Sequence, residues 1–330
     1  MMALVTGGGG FLGGAIVRDL VTRSDEVRSF ARGDYPALRD LGVETIRGDL
    51  ADAEAVARAV HGCDVVFHVA AKAGIWGAYE AYHRCNVAGT RNVIAACRAR
   101  GVGRLVYTSS PSVVFHGGDM EGVDESVPYP DRYEAAYPAT KALAERLVLA
   151  ANDDRLATVA LRPHLIWGPG DNHLVPRIVA GARAGRLRRI GHRPNLVDSL
   201  YIDNAAEAHL LAADRLRPGA PAAGRAYFLS QGEPLPLWDL VDRILRAAHA
   251  PPVTRTVSPR VAYGTGAVLE GLYRAFHFEA EPPMTRFLAR QLSTAHWFNI
   301  DAARRDLNYR PSVSLDEGMR RLERSFGGPA

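Results

Sequence analysis

Thr6-Gly7-Gly8-Gly9-Gly10-Phe11-Leu12-Gly13 lies between the apolar run Ala3-Leu4-Val5 and a segment in which Leu12, Ile16 and Leu20 recur at i, i+4 and i+8. That order reads as a strand, a tight turn and a helix with one apolar face. Gly7, Gly10 and Gly13 have the spacing G-x-x-G-x-x-G. Lacking Cβ atoms, they let the backbone turn sharply and approach a pyrophosphate. The helix start behind them offers free N–H groups and the positive end of its dipole. A glycine run alone is a weak signal, but between a strand and a helix in a βα chain it points to a dinucleotide.

Further strands are predicted at Val27–Phe30, Glu44–Arg47, Asp64–His68, Arg104–Tyr107 and Ala157–Leu161. Several lack polar alternation, as strands buried on both faces should. Helical patterns separate them: Asp52 reads as the N-cap of a helix carrying Val56 and Val60, and residues 79–100 hold Tyr79, Tyr82, Val87, Val93, Ile94 and Cys97. Repeated βα units predict an α/β fold, a Rossmann doubly wound parallel sheet over residues 1–165. Beyond residue 165 the rhythm breaks at Gly168-Pro169-Gly170 and again at residues 218–224. A strand at 226–229 and helices at 236–249, 261–276 and 314–325 follow. Residues 166–330 are therefore expected to form a smaller substrate domain, with segments near 196–230 returning to the first.

Composition narrows the function. Of 330 residues 47% are apolar and 23% charged, which excludes disorder, and a net charge of +4 is too mild to imply nucleic acid. The longest apolar candidate, residues 261–278, carries Glu270 and Arg274, so no transmembrane segment is expected. Cys63, Cys85 and Cys97 lack metal spacing and cannot pair evenly, which fits a cytoplasmic protein without a metal. The 40 basic residues include only two lysines, Lys72 and Lys141, and so 38 arginines. A lysine retained in such a chain marks a position where arginine is a poor substitute.

Lys141 closes Tyr137-Pro138-Ala139-Thr140-Lys141. On a helix, i and i+4 share one face. Random placement of two lysines and 12 tyrosines yields roughly 0.07 such pairs, so coincidence is a weak explanation. A phenol with an ordinary pKa near 10 needs an ammonium beside it to exchange protons near neutrality. Thr108-Ser109-Ser110, at the end of a predicted strand, offers a hydroxyl for a substrate oxygen. The choice of dinucleotide falls at the end of the second strand, where an NAD site carries an acidic residue. Here Ala31 stands there and Arg32 follows, a planar fork suited to a 2′-phosphate, so NADP(H) is favoured over NAD(H).

Taken in order, these motifs resemble an extended short-chain dehydrogenase/reductase. Gly48-Asp49-Leu50, Asn86-Val87-x-Gly89-Thr90-x-Asn92-Val93 and Arg162-Pro163 with Gly168-Pro169-Gly170-Asp171 extend the match. Tyr201-Ile202-Asp203-Asn204, Glu281-Pro282-Pro283-Met284-Thr285-Arg286-Phe287 and Asn308-Tyr309-Arg310-Pro311 resemble its 3β-hydroxysteroid dehydrogenase/isomerase branch. Lys72-Ala73-Gly74-x-Trp76-Gly77 and Leu165-Ile166-Trp167-Gly168 resemble that branch's β-keto acid reductases of bacterial long-chain olefin biosynthesis. The resemblance implies that Gly7, Gly10, Phe11, Leu12 and Gly13 cradle pyrophosphate, that Asp49 and Leu50 meet adenine, and that Ala70 and Ala71 line the cofactor. It implies that Asn86 braces the active-site helix, Ser110 polarises the substrate oxygen, Tyr137 exchanges the proton, Lys141 holds ribose and tunes the phenol, and Pro163 borders the nicotinamide.

The implied reaction is NADPH-dependent reduction of a 2-alkyl-3-oxoalkanoic acid; the alternatives are oxidation of a hydroxysteroid or sterol and a non-catalytic dinucleotide sensor or scaffold. A homodimer through helices such as 79–100 and 133–151, and association with other olefin-pathway enzymes, are implied partners. Phe115, where many relatives carry tyrosine, argues against nucleotide-sugar substrates, and His68 departs from a frequent asparagine. Substrate contacts are expected of Lys72, Trp76, Ser112, His164 and Trp167, with Phe276 and Phe278 as further candidates for a greasy channel. The arginines at 183, 186, 188, 189 and 193 read first as a solvated face, and otherwise as a surface for an acidic group on a carrier, a membrane surface or a partner.

Overall fold

The computed structural model describes residues 1–327. Seven strands form one parallel sheet: β1 (Met2–Thr6), β2 (Glu26–Ala31), β3 (Glu44–Arg47), β4 (Val65–His68), β5 (Arg104–Thr108), β6 (Ala157–Pro163) and β7 (Arg225–Leu229). Their order across the sheet is β7-β6-β5-β4-β1-β2-β3. The chain runs outward from β1 to β3, then restarts at β4 on the other side. The crevice at this reversal, beyond the C-terminal ends of β1 and β4, is where an open α/β sheet receives a ligand.

Side chains alternate between two buried faces. Ala3, Val5, Phe67, Val106, Val159 and Leu161 enter one core cluster; Leu4, Val66, Leu105, Tyr107 and Ala160 enter the other. Burial on both sides is the reason these strands show little polar alternation in sequence. The helix Phe11–Thr22 packs on Ile202–Arg215 below one face. On the other, the segment Tyr79–Arg100 supplies a wall, continuous except for a widened π-helical turn at His83–Ala88.

A second sheet of four short strands runs in the order Leu235–Pro236, Leu196–Val197, His296–Phe298, Met120–Val123. It draws residues nearly two hundred positions apart to the mouth of the crevice. Among the described residues no helix is long and apolar enough to cross a membrane.

Candidate active site

The glycine turn is built for close approach. Gly7 takes φ +74°, and a Cβ there would lie 3.0 Å from Ala70 Cα. A Cβ at Gly13 would lie 2.1 Å from the Gly7 carbonyl oxygen, so the helix can begin against the turn only with glycine there. The Gly7 N–H donates to the Phe30 carbonyl at 2.8 Å and the Gly10 N–H to the Gly7 carbonyl at 2.9 Å. Ala70 borders this turn and Ala71 follows it, half-buried. Tyr35 lies across Gly9 and Gly33, whose added Cβ atoms would come within 2.3 and 3.0 Å of its ring. The cradle and the flanking helix start have the shape that a dinucleotide pyrophosphate requires. Phe11 and Leu12 begin that helix, Leu12 buried beneath it. Arg32 stands exposed just past the end of β2 and makes no ion pair among the described residues.

His68 has a clear structural role. The Thr6 hydroxyl oxygen accepts from the Val69 and Ala70 N–H groups, both at 3.1 Å, and lies 2.8 Å from His68 Nδ1. Its single proton therefore goes to Nδ1, which leaves Nε2–H to donate to Thr90 Oγ1 at 3.0 Å. Thr90 in turn donates to the Asn86 carbonyl at 2.6 Å. The chain ties β1 and β4, where Thr6 and His68 are register partners, to the π-helical turn carrying Asn86. Burial, helped by the charge on Lys141, pushes His68 down to about 3, consistent with a neutral ring that accepts at Nδ1.

The rest of the 86–92 motif braces in the same manner. Asn86 accepts from the Lys72 N–H at 2.7 Å and donates to the Lys72 carbonyl and to Thr140 Oγ1, both at 3.1 Å. A Cβ at Gly89 would lie 2.7 Å from Leu50 Cβ, and Asn92 donates to the Leu50 carbonyl at 2.8 Å. Asp49, beside Leu50, accepts from the Ala51 N–H and pairs with Arg84 at 3.3 Å. The loop after β3 is thus held from the helix that follows β4.

Tyr137 and Lys141 lie on the helix Ala136–Ala150, which starts with Pro138 in its first turn and is rich in alanine. Lys141 is buried; its Nζ donates to the Thr108 carbonyl at 2.5 Å and sits 4.1 Å from the centre of the Tyr107 ring. Burial pushes Lys141 down to about 7. Thr108 is held through its own hydroxyl, 2.9 Å from His209 Nε2, while His209 Nδ1–H donates to the Ala205 carbonyl at 2.7 Å. The Tyr137 phenol is raised by burial, with Ser110 working in the opposite direction. Burial is the larger influence on this phenol and the Ser110 hydroxyl the next. Burial governs both groups here, and Nζ is engaged with Thr108. A raised phenol remains protonated at neutral pH, the state a proton donor requires.

Ser110, Tyr137 and Pro163 open on one cavity of about 1000 Å³. Ser112 also lines it, with its hydroxyl 2.9 Å from that of Ser110. His164 lines it as well: its Nε2 meets His296 Nδ1 at 2.8 Å, and His296 Nε2 donates to the Gln291 carbonyl at 2.7 Å. Burial lowers both rings, so this is a neutral pair of fixed tautomers. The other expected substrate residues lie elsewhere. Trp167 is fully buried in the core, its indole donating to Ser199 and its ring against Tyr201. Trp76 packs edge-on to Tyr273 and donates to the Phe278 carbonyl, outside the cavity wall. Lys72 places Nζ 5.1 Å from the centre of the Tyr82 ring and does not line the cavity. Phe276 and Phe278 are exposed on the surface.

The far wall was not legible in sequence. Phe115, Met284, Phe287, His296 and Phe298 meet there because His296–Phe298 pairs parallel with Met120–Val123. No local motif marks His296; only strand pairing brings it to His164. In the basic stretch Arg189 pairs with Asp242 and Arg193 with Asp119 and Glu121, while Arg183 and Arg188 donate to backbone carbonyls.

A model of the 3-beta hydroxysteroid dehydrogenase/isomerase family matches residues 4–259. A 2-alkyl-3-oxoalkanoate reductase of Stenotrophomonas maltophilia (strain K279a) is 57% identical over 328 residues, covering 98% of this chain and 99% of that one. A protein of the same name from Shewanella oneidensis is 50% identical over 332 residues, covering 98% and 86%. A 3-beta-hydroxysteroid dehydrogenase of Mycolicibacterium neoaurum is more distant, at 35% over 326 residues, covering 96% and 88%. Among solved structures, a UDP-glucose 4-epimerase of Thermus thermophilus in complex with NAD matches with a TM-score of 0.74 at 26% identity, over 100% of both chains. With a glycine cradle at the crevice of a parallel sheet and a match spanning most of its length, the chain belongs to the 3-beta hydroxysteroid dehydrogenase/isomerase family, a family of oxidoreductases.

Proposed function

We propose that this protein reduces a 2-alkyl-3-oxoalkanoic acid with long alkyl chains to the 2-alkyl-3-hydroxy acid, as a step of long-chain olefin biosynthesis, using NAD(P)H. The observation that carries this reading is the placing of Ser110 and Tyr137 in the wall of a cavity of about 1000 Å³ lined mainly by apolar side chains. That volume stands at the upper end of the roughly 300–1,000 Å³ range of small-molecule pockets, as two alkyl chains require. The two relatives at 57% and 50% identity, both named for this reduction, support the substrate class. The NAD in the epimerase complex, together with the cradle at Gly7 and Gly13, supports a dinucleotide.

When bound, the nicotinamide supplies a hydride to the carbonyl carbon. Tyr137 releases its proton to the carbonyl oxygen, so the ketone gains one hydride and one proton and becomes a secondary alcohol. Ser110 donates a hydrogen bond to that oxygen as negative charge develops. Lys141, one helical turn from Tyr137, holds ribose hydroxyls when charged, and Asn86 keeps the segment at Lys72 and the helix at Thr140 in register. Pro163 would border the nicotinamide, Ala70 and Ala71 would line the cofactor after β4, and Asp49 and Leu50 would meet adenine. Arg32, exposed at the end of β2 and without an acidic partner among the described residues, supports a preference for NADP(H). Residues 1–165 with returns near 196–230 act as the nucleotide domain and the remainder of 166–330 as the substrate domain. Unpaired Cys63, Cys85 and Cys97 fit a cytoplasmic location, and the helices around 79–100 and 133–151 are the expected dimer face.

The test is loss of NADPH absorbance with a long-chain 2-alkyl-3-oxoalkanoate, run beside a 3β-hydroxysterol with NAD. Wild-type protein is expected to turn over the keto acid, and Tyr137→Phe to lose turnover while binding the cofactor within about threefold of wild type. Oxidation of the sterol with no reduction of the keto acid would transfer the assignment to steroid dehydrogenation.

A further inference from the structure

The helix Pro259–Ala275 has two unlike faces. One packs on the helix Arg286–Ser293 so closely that a Cβ at Gly266 would lie 2.6 Å from the Thr285 carbonyl carbon. The opposite face carries Val261, Val268 and Leu272, continued by Phe276, all within an arc of about 80°. Val268 and Phe276 are 63% and 65% exposed. Phe278 stacks on Phe276 with ring centres 5.9 Å apart, and is exposed too. Between Arg260 and Arg274 the only charged residue is Glu270, which is buried under Arg286 at 2.7 Å with Arg274 at 3.5 Å. A helical surface about 25 Å long thus presents apolar side chains without an exposed charge between two arginines. A soluble monomer rarely leaves so contiguous a patch uncovered.

This face adjoins the cavity mouth. Val261 and Thr265 belong both to the exposed side of the helix and to the cavity wall. Arg186 and Arg188 line the same opening; Arg186 is exposed and pairs with no carboxylate among the described residues. Arg177, also at the opening, is neutralised by Glu281 at 2.6 Å, and Glu279 is the exposed acid at the far end. The unneutralised charge around the opening is therefore positive.

We propose that the Val261–Phe278 face docks on an anionic lipid bilayer, with its apolar side chains among the acyl chains, Arg260, Arg274 and Arg186 at the head groups, and the cavity mouth against the lipid. The combination of an apolar stripe with basic flanks is that of an interfacial helix. Docking itself does not depend on the reductase reading; that reading adds only that a water-insoluble substrate enters the cavity directly from the bilayer.

Co-sedimentation with sucrose-loaded vesicles tests the proposal. Wild-type protein is expected to bind vesicles of phosphatidylglycerol and phosphatidylcholine, to bind pure phosphatidylcholine more weakly, and to be released by high salt. The double variant Val268→Asp/Leu272→Asp should lose at least about tenfold in partitioning. The milder Val268→Ser/Leu272→Ser pair, checked by thermal melting, guards against misfolding. Neither residue lines the cavity, so turnover of a short, soluble 2-alkyl-3-oxo acid should remain within about twofold of wild type. Absence of wild-type binding, or equal binding by the variants, overturns the proposal. So does a dimer that the Asp pair dissociates without any vesicle binding, since that would assign the face to a second copy of the chain.

Discussion

Replacing His68 with leucine probes the hydrogen-bond chain that ties the glycine turn to the segment of Asn86. Leucine fills similar space but cannot accept the Thr6 proton or donate to Thr90. The buried Thr6 hydroxyl would be left without an acceptor, at about 1–3 kcal/mol, and the bond to Thr90 adds about 1 kcal/mol. The variant should therefore be less stable by about 2–4 kcal/mol at pH 7.5. Acid reduces the difference. Burial and Lys141 bring His68 from its ordinary 6.5 to about 3, so between those values the unfolded chain binds the proton that the folded chain refuses. Wild-type stability consequently falls as pH drops through that window, and by pH 5 this one group has withdrawn about 2 kcal/mol. Leucine has no proton to bind, so the gap should shrink to about 0–2 kcal/mol at pH 5. The other buried histidines, His164, His209 and His296, titrate alike in both proteins and cancel. Urea unfolding at the two pH values measures the gap. Equal stability at pH 7.5, or a gap that widens in acid, would refute the assigned bond directions and imply a charged ring.

Three further outcomes follow from the same geometry. Gly13→Ala places a methyl 2.1 Å from the Gly7 carbonyl oxygen, so the turn must open; cofactor affinity by fluorescence titration should fall at least about tenfold. Lys141, pushed down to about 7, loses its charge as pH rises through that value, so NADPH affinity should weaken by up to about tenfold per unit above pH 7, while Lys141→Met shows a flat profile between pH 6 and 9. Arg32→Ala should raise the KM for NADPH about tenfold and leave that for NADH nearly unchanged; parallel changes in both would remove the guanidinium from cofactor selection.

The glycine turn and the parallel sheet around it are written in local sequence. Glycine at 7, 10 and 13 is demanded by backbone proximity, Tyr137 and Lys141 by helical spacing, and the strands from β1 to β6 by short apolar runs between turn residues, so each can be inferred from a few neighbouring positions. The 86–92 motif was recognisable as a pattern, but its purpose needed partners from β1, β4 and the loop after β3. The substrate side was legible least. Trp76 and Trp167 have the chemistry of a greasy pocket and yet serve packing, whereas His296 and Phe298 reach the cavity through a strand pairing that spans more than 170 residues. Helical and strand periods reveal which face of an element is buried, not which distant element covers it. The pairing of His164 with His296, and a hydrophobic helix left bare beside the mouth, depend on long-range docking and could be decided only in three dimensions.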